Sequence, residues 1–211
     1  MKILCIFAKP PIAGKTKKRL AADIGEVPAA EISKVMLNIL IKECKSSIAE
    51  EIYLYMPLEF SESDFMGVGI SGLKVRKQTG NDLGEKMANM FKECCHSNNQ
   101  VILIGSDCIS LTSNTLNDAF DYLKTNVLVI QPADDGGYVL IGQSKFCQEV
   151  FKGPKWGSSL VFETTINILQ ALDLSFFVMP RAFDIDVKED LYKLHSIQNQ
   201  EIQQWLKKYS Y

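Results

Sequence analysis

The chain has 211 residues, of which 46% are hydrophobic and 23% charged, and its formal net charge is −2. That balance excludes a disordered chain and a general polyanion binder, and the length fits one large domain over 1–211. Met1–Ala8 is too short and too β-branched for a signal-peptide core, and no apolar run approaches the roughly 18 residues of a membrane helix, so a cytoplasmic protein is expected.

In chain order, Lys2–Ala8 reads as a buried strand, followed by a loop rich in Lys and Pro. Pro28–Ser46 has helical spacing at Ile32, Val35, Met36, Ile39 and Leu40, with Pro28 suited to a first turn. Ile52–Met56 and Leu73–Lys77 read as strands, and Asp82–Cys95 as a helix. Val101–Ile104 is a strand, and Thr112–Lys124 a helix that Thr112 or Ser113 can cap. Val127–Gln131, Tyr138–Ile141 and Phe176–Met179 are further strands; Ser158–Leu172 reads as a helix, and Asp186 to Lys208 as largely helical. This alternation predicts a three-layer α/β/α sandwich around a mostly parallel sheet, with ligands beyond the carboxyl ends of the strands. The six cysteines form no C-x-x-C pair and are expected to be reduced and mostly buried. Cys94, Cys95 and His96 have poor spacing for a tetrahedral metal site. His96 and His195 lie in polar, helix-like contexts and are assigned no role.

Four segments carry chemistry. Lys9 to Arg19 is basic throughout, with Lys9, Lys15, Lys17, Lys18 and Arg19 and no acid. Its Gly14-Lys15-Thr16 resembles the end of a P-loop, but that motif needs glycine where Lys9 stands. Phosphate remains the expected ligand: Pro10 and Pro11 stiffen the turn, Gly14 allows close backbone approach, and Lys17 and Arg19 can neutralise phosphate oxygens. The plainer alternative is a solvated basic loop. Asp107 follows the apolar run Val101–Ile104, where a carboxylate can hold Mg²⁺ beside substrate phosphates or cap a turn. Asp134, Asp135, Gly136 and Gly137 form a tight turn leading into a strand, which suits either a ligand-facing loop or a plain hairpin. Asp184 and Asp186 are two apart; one could complete a metal site while the other caps or anchors. Gln78 to Gly84 adds a glycine-rich loop in which Asp82 can cap a helix, and Trp156 either stacks on an acceptor or packs.

Taken in order, K-x-P-x-x-G-x-x-K-x-R-L from Lys9, Q-x-G-x-D-L-G from Gln78, I-G-S-D-C around Asp107, D-D-G-G-Y ending at Tyr138 and D-I-D ending at Asp186 resemble one family. It is the bacterial glycosyltransferase-like family, formerly a domain of unknown function, within the nucleotide-diphospho-sugar transferase superfamily of GT-A fold. The resemblance spans Lys9 to Leu191. It implies that Lys9, Pro11, Gly14, Lys17 and Arg19 hold nucleotide phosphates, and that Gln78, Gly80 and Asp82 lie near the nucleotide or acceptor. It further implies that Asp107 and Asp186 bind Mg²⁺ or Mn²⁺, and that Asp135, Gly136, Gly137, Tyr138 and Trp156 face the transferred group or acceptor. The family often has Pro at Ala13 and Thr at Lys18, and its usual W-S-T is here Trp156, Gly157 and Ser158.

The implied activity is Mg²⁺-dependent transfer from an activated nucleotide, as a nucleotide-sugar glycosyltransferase or a nucleotidyltransferase. Lys17 and Arg19 would carry charge neutralisation, with Asp135 the candidate base. The partners expected are a nucleotide or nucleotide-sugar and a small-molecule acceptor, without nucleic acid or a membrane span; a homodimer is allowed. A non-catalytic nucleotide sensor or partner-binding protein on the same fold is the alternative.

Overall fold

The computed structural model describes residues 1–96 and 98–211. Seven strands form one sheet: β1 (Lys2–Phe7), β2 (Glu51–Met56), β3 (Lys74–Lys77), β4 (Gln100–Gly105), β5 (Leu128–Pro132), β6 (Tyr138–Gln143) and β7 (Phe176–Val178). Their order is β3-β2-β1-β4-β6-β5-β7. β6 runs antiparallel to both its neighbours, and every other pairing is parallel.

Six α-helices accompany the sheet: α1 (Lys18–Ile24), α2 (Glu26–Ser46), α3 (Leu83–Cys94), α4 (Ser113–Tyr122), α5 (Val161–Ala171) and α6 (Gln200–Tyr209). The period of two along β1 sends Leu4 and Ile6 to one face, with Leu40 and Ile41 of α2 and Phe120 of α4. Ile3 and Cys5 go to the other, with Met87 and Phe91 of α3 and Leu169 of α5. A third cluster joins Leu20, Ile32 and Met36 to Trp205 and Leu206, clamping α6 onto α2. Helices therefore cover both faces, as the alternating pattern predicts. All six cysteines are free thiols, five of them buried.

Two segments differ from the sequence reading. Residues 18–24 form a helix, whereas the sequence reading has the basic loop run to Arg19 and assigns no element between it and Pro28. With Leu20 its only buried side chain, α1 shows no apolar period to read. The tail is broken: a 3₁₀ segment, Lys188–Ser196, precedes α6, whose start is set by the Asn199 side chain accepting from Glu201 and Ile202 N–H. Asp82 caps α3, and Thr112 caps α4, as expected.

Candidate functional site

β3, β2, β1 and β4 are parallel neighbours, so their carboxyl ends share one edge of the sheet. The segments leaving them wall a cleft of about 500 Å³. Phe7 and Ala8 line it from β1, and Lys9 with residues 15–19 from the loop and the start of α1. Gln78 and Leu83 line it from beyond β3, and Gly105, Ser106 and Asp107 from beyond β4. Asp186 arrives from the far end of the chain.

Lys17 is the pivot of this cleft. Its backbone is left-handed (φ 47°), a conformation that costs a non-glycine residue roughly 1–2 kcal/mol. Its buried ammonium sits 2.6 Å from Asp107 Oδ1 and also donates to the Ile185 carbonyl. One side chain thus ties the basic loop to the end of β4 and to the segment carrying Asp184 and Asp186. The exposure is unequal, 2% for the Lys17 side chain and 49% for that of Asp107, so the carboxylate keeps an open side. Arg19 is 72% exposed and meets Asp186 at 2.5 Å. Such an exposed pair adds little stability, and its guanidinium stands at the cleft mouth.

Lys9, Lys17, Arg19, Gln78, Asp107 and Asp186 are therefore brought together. Pro11 and Gly14 shape the loop without lining the cleft. The N–H groups of Lys15 and Thr16 turn back onto the Ile12 carbonyl, so side chains rather than backbone donors face the cleft at those residues.

A second cavity of about 390 Å³ adjoins the first and shares Arg19 and Leu83 with it. Asp135, Gly137 and Tyr138 enter it from the β5–β6 hairpin, Trp156 and residues 157–159 from the segment before α5, and Asp184 from the late loop. Asp135 Oδ1 accepts from Gly137 N–H at 2.8 Å, which fixes the carboxylate in the turn. Tyr138 and Trp156 meet edge to face at 6.4 Å. The turn connects β5 and β6 as a hairpin, and its residues Asp135 and Gly137 line the cavity.

Three residues of the expected site line neither of these two cavities and make local structural contacts. Asp82 accepts from Glu85 N–H as the α3 cap and borders a separate hollow behind Trp156. Gly80 (φ 136°) lies against the backbone of Glu85 and Lys86. Gly136 (φ 88°) lies against the backbone of Ser159.

Asp184 is the residue that sequence spacing left undecided. It shares the second cavity with Asp135, while Asp186 lines the first with Asp107. Burial raises the Asp184 pKa, and the Asp135 carboxylate, then Asp107 and Asp190, push it further the same way. A carboxyl group with a raised folded-state pKa loses stability for the fold as pH climbs through that value. Asp184→Asn is therefore expected to raise the unfolding midpoint of metal-free protein at neutral pH. The gain should shrink as pH falls into the carboxylate range; a pH-independent difference in midpoint would contradict the assignment.

The family described as "Uncharacterized protein conserved in bacteria (DUF2064)" matches residues 40–158. The chain belongs to this family. No relative was found among curated proteins. Among solved structures, this DUF2064 chain is similar to a protein from Desulfovibrio desulfuricans G20 provisionally assigned as a nucleotide-diphospho-sugar transferase. The two share 24% identity at a TM-score of 0.89, with 99% of this chain and 95% of that one covered. It is also similar to CMP:2-keto-3-deoxy-manno-octonic acid synthetase complexed with CTP, at 10% identity and TM-score 0.56, covering 95% and 99%. A third likeness is to Rv0371c of Mycobacterium tuberculosis H37Rv in complex with manganese, at 12% identity and TM-score 0.55, covering 93% and 100%. These likenesses establish the nucleotide-diphospho-sugar transferase type of fold for the DUF2064 chain. No helix among the described residues is long and apolar enough to cross a membrane.

Proposed function

We propose that the protein transfers a group from an activated nucleotide, with a nucleoside triphosphate as the favoured donor, to a small-molecule acceptor in the second cavity. The observation that carries this reading is the first cleft. It is a hollow at the carboxyl ends of parallel strands in which five cations, Lys9, Lys15, Lys17, Lys18 and Arg19, face two acids, Asp107 and Asp186. That excess of positive charge suits a polyphosphate better than a neutral sugar. Fold relatives that bind CTP and manganese add support of the weaker kind, by analogy.

Arg19 and the loop lysines would bind and orient the donor phosphates and offset the charge that develops on them. Lys17 would act chiefly by holding Asp107 in place, since its ammonium is already engaged. Asp135 stands in the adjoining cavity, where it could take a proton from an acceptor hydroxyl. Trp156 and Tyr138 would give that acceptor an aromatic wall.

The acids fit Mg²⁺ or Mn²⁺. No group of three or more ligating side chains occurs among the described residues, but Mg²⁺ needs only one or two carboxylates beside substrate phosphates. Asp107, open on one side, and Asp186 meet that demand, with Asp184 nearby. When bound, the cation would supply Lewis acidity and a template for the phosphates.

Thermal-shift titration with nucleoside triphosphates and nucleotide-sugars, with and without Mg²⁺, tests the reading. Mg²⁺-dependent stabilisation by triphosphates is expected, and at a hundredfold excess over Kd it amounts to about 2.7 kcal/mol. Stabilisation by nucleotide-sugars alone would move the assignment to glycosyl transfer. Stabilisation by neither class would remove the proposal, and tight binding without turnover on any acceptor would favour a sensor.

A further inference from the structure

The donor cleft has a mixed lining. Its cations are Lys9, Lys15, Lys17, Lys18 and Arg19, and Phe7, Ala8, Leu83 and the amide of Gln78 add apolar and neutral surface. Leu83 is 46% exposed, a large apolar side chain left facing the cleft. Gln78 lies over the end of β2: its backbone N–H donates to the Met56 carbonyl at 2.8 Å, and its side-chain Nε2 to the Tyr55 carbonyl at 2.9 Å. β2 and β4 are two strand spacings apart, so the strand ends beneath the Gln78 amide and before Asp107 lie about 10 Å from each other across the sheet. A nucleoside 5′-phosphate laid along that direction sets its base beside Gln78 and its phosphates beside Asp107 and the loop cations.

The amide of Gln78 is held in one orientation. The Tyr55 carbonyl can only accept, so the amide NH₂ must face it, and Oε1 points the other way. Turning the amide over would set two oxygens against each other. Among the described residues no donor reaches Oε1, and it is not enclosed: the buried side-chain oxygen without a partner there is that of Gln131. Gln78 is 8% exposed and lines the cleft, so its amide is an acceptor of fixed orientation in the cleft wall.

We propose that Gln78 reads the donor base by accepting a hydrogen bond from its exocyclic amino group, so that the donor carries cytosine, adenine or guanine rather than uracil or thymine. The inference rests on the donor-nucleotide reading above and narrows it. Uracil and thymine offer only a ring N–H flanked by two carbonyl oxygens, and those oxygens are repelled by Oε1. A bound base covers the Gln78 acceptor, and one without a donor for it leaves that acceptor unpaired, which is what discriminates against it.

The experiment is a set of dissociation constants, measured with Mg²⁺ for CTP against UTP, ATP against ITP, and GTP against ITP. The tightest-binding triphosphate is expected to carry an amino group and to bind about tenfold or more tighter than its counterpart without it. In Gln78→Leu that ratio should collapse towards one, while the affinity for inorganic triphosphate, which probes only the basic end, stays unchanged. A counterpart without the amino group that binds the natural protein as tightly as the tightest amino triphosphate would overturn the assignment, whether or not the variant folds. So would a variant that keeps the full ratio. Failure of every nucleotide and of inorganic triphosphate to bind would instead overturn the donor reading itself, which separates the two failures.

Discussion

Asp107→Ala is expected to lower stability by about 3 kcal/mol, because it leaves the Lys17 ammonium buried with only the Ile185 carbonyl as partner. In a chain of this size that is a fall of roughly 6–12 °C in the unfolding midpoint. The opposite deletion is far milder. Lys17→Met removes the buried charge and leaves Asp107, half exposed, to be solvated by water, so a loss of about 1 kcal/mol is expected. Asp107→Asn separates stability from function, since the amide oxygen still accepts from Lys17 but no longer carries the charge a cation needs. Its midpoint should stay near that of the natural protein while Mg²⁺-dependent stabilisation by triphosphates disappears. Chemical denaturation of the three variants measures the asymmetry. Equal losses for Asp107→Ala and Lys17→Met would mean that Lys17 is not held as described.

Gly136→Ala is the second large effect. Gly136 has φ 88°, and a Cβ there would strike the backbone of Ser159, with the carbonyl carbon at 2.7 Å and Cα at 2.8 Å. The neighbouring Phe162 N–H donates to the Gly136 carbonyl, so the hairpin turn and the start of α5 cannot separate without losing that bond. More than about 3 kcal/mol of destabilisation is expected, together with a distorted second cavity. Gly157→Ala is the control. Its φ is 82°, but its Cβ would meet nothing within 4 Å, so only the backbone term applies, about 1 kcal/mol. Similar midpoints for the two variants would show that the turn yields at Ser159.

Much of the fold was legible because buried strands advertise themselves as short apolar runs. The seven strands occur where the sequence places them, although β3, Lys74–Lys77, is an exposed edge strand with only Val75 partly buried, and Asp82 and Thr112 cap the helices they precede. What was not legible is long-range. The place of β6, antiparallel between β4 and β5, depends on pairing across the sheet rather than on its own residues. Helix α1 has one buried anchor, too few for a period. Within the site, the order of motifs pointed to Lys9, Arg19, Gln78, Asp107 and Asp186, which share the cleft. It gave no sign that Lys17 is committed to Asp107, or that Gly136 serves the packing of Ser159. Those roles arise from contacts between segments distant in the chain. Spacing alone also could not divide Asp184 from Asp186, because alternate residues of an extended segment point the same way and only the folded loop sends them to different cavities.

The central claim is that donor phosphates lie between the basic loop and Asp107. A crystal structure with Mn²⁺ and the triphosphate that stabilises the protein most tests it directly, since the cation can be placed by its anomalous signal. The expected result is phosphate oxygens within hydrogen-bonding distance of Arg19 and the loop lysines, with the cation on Asp107 and Asp186. Phosphates bound in the second cavity, or a cation remote from Asp107, would contradict the account.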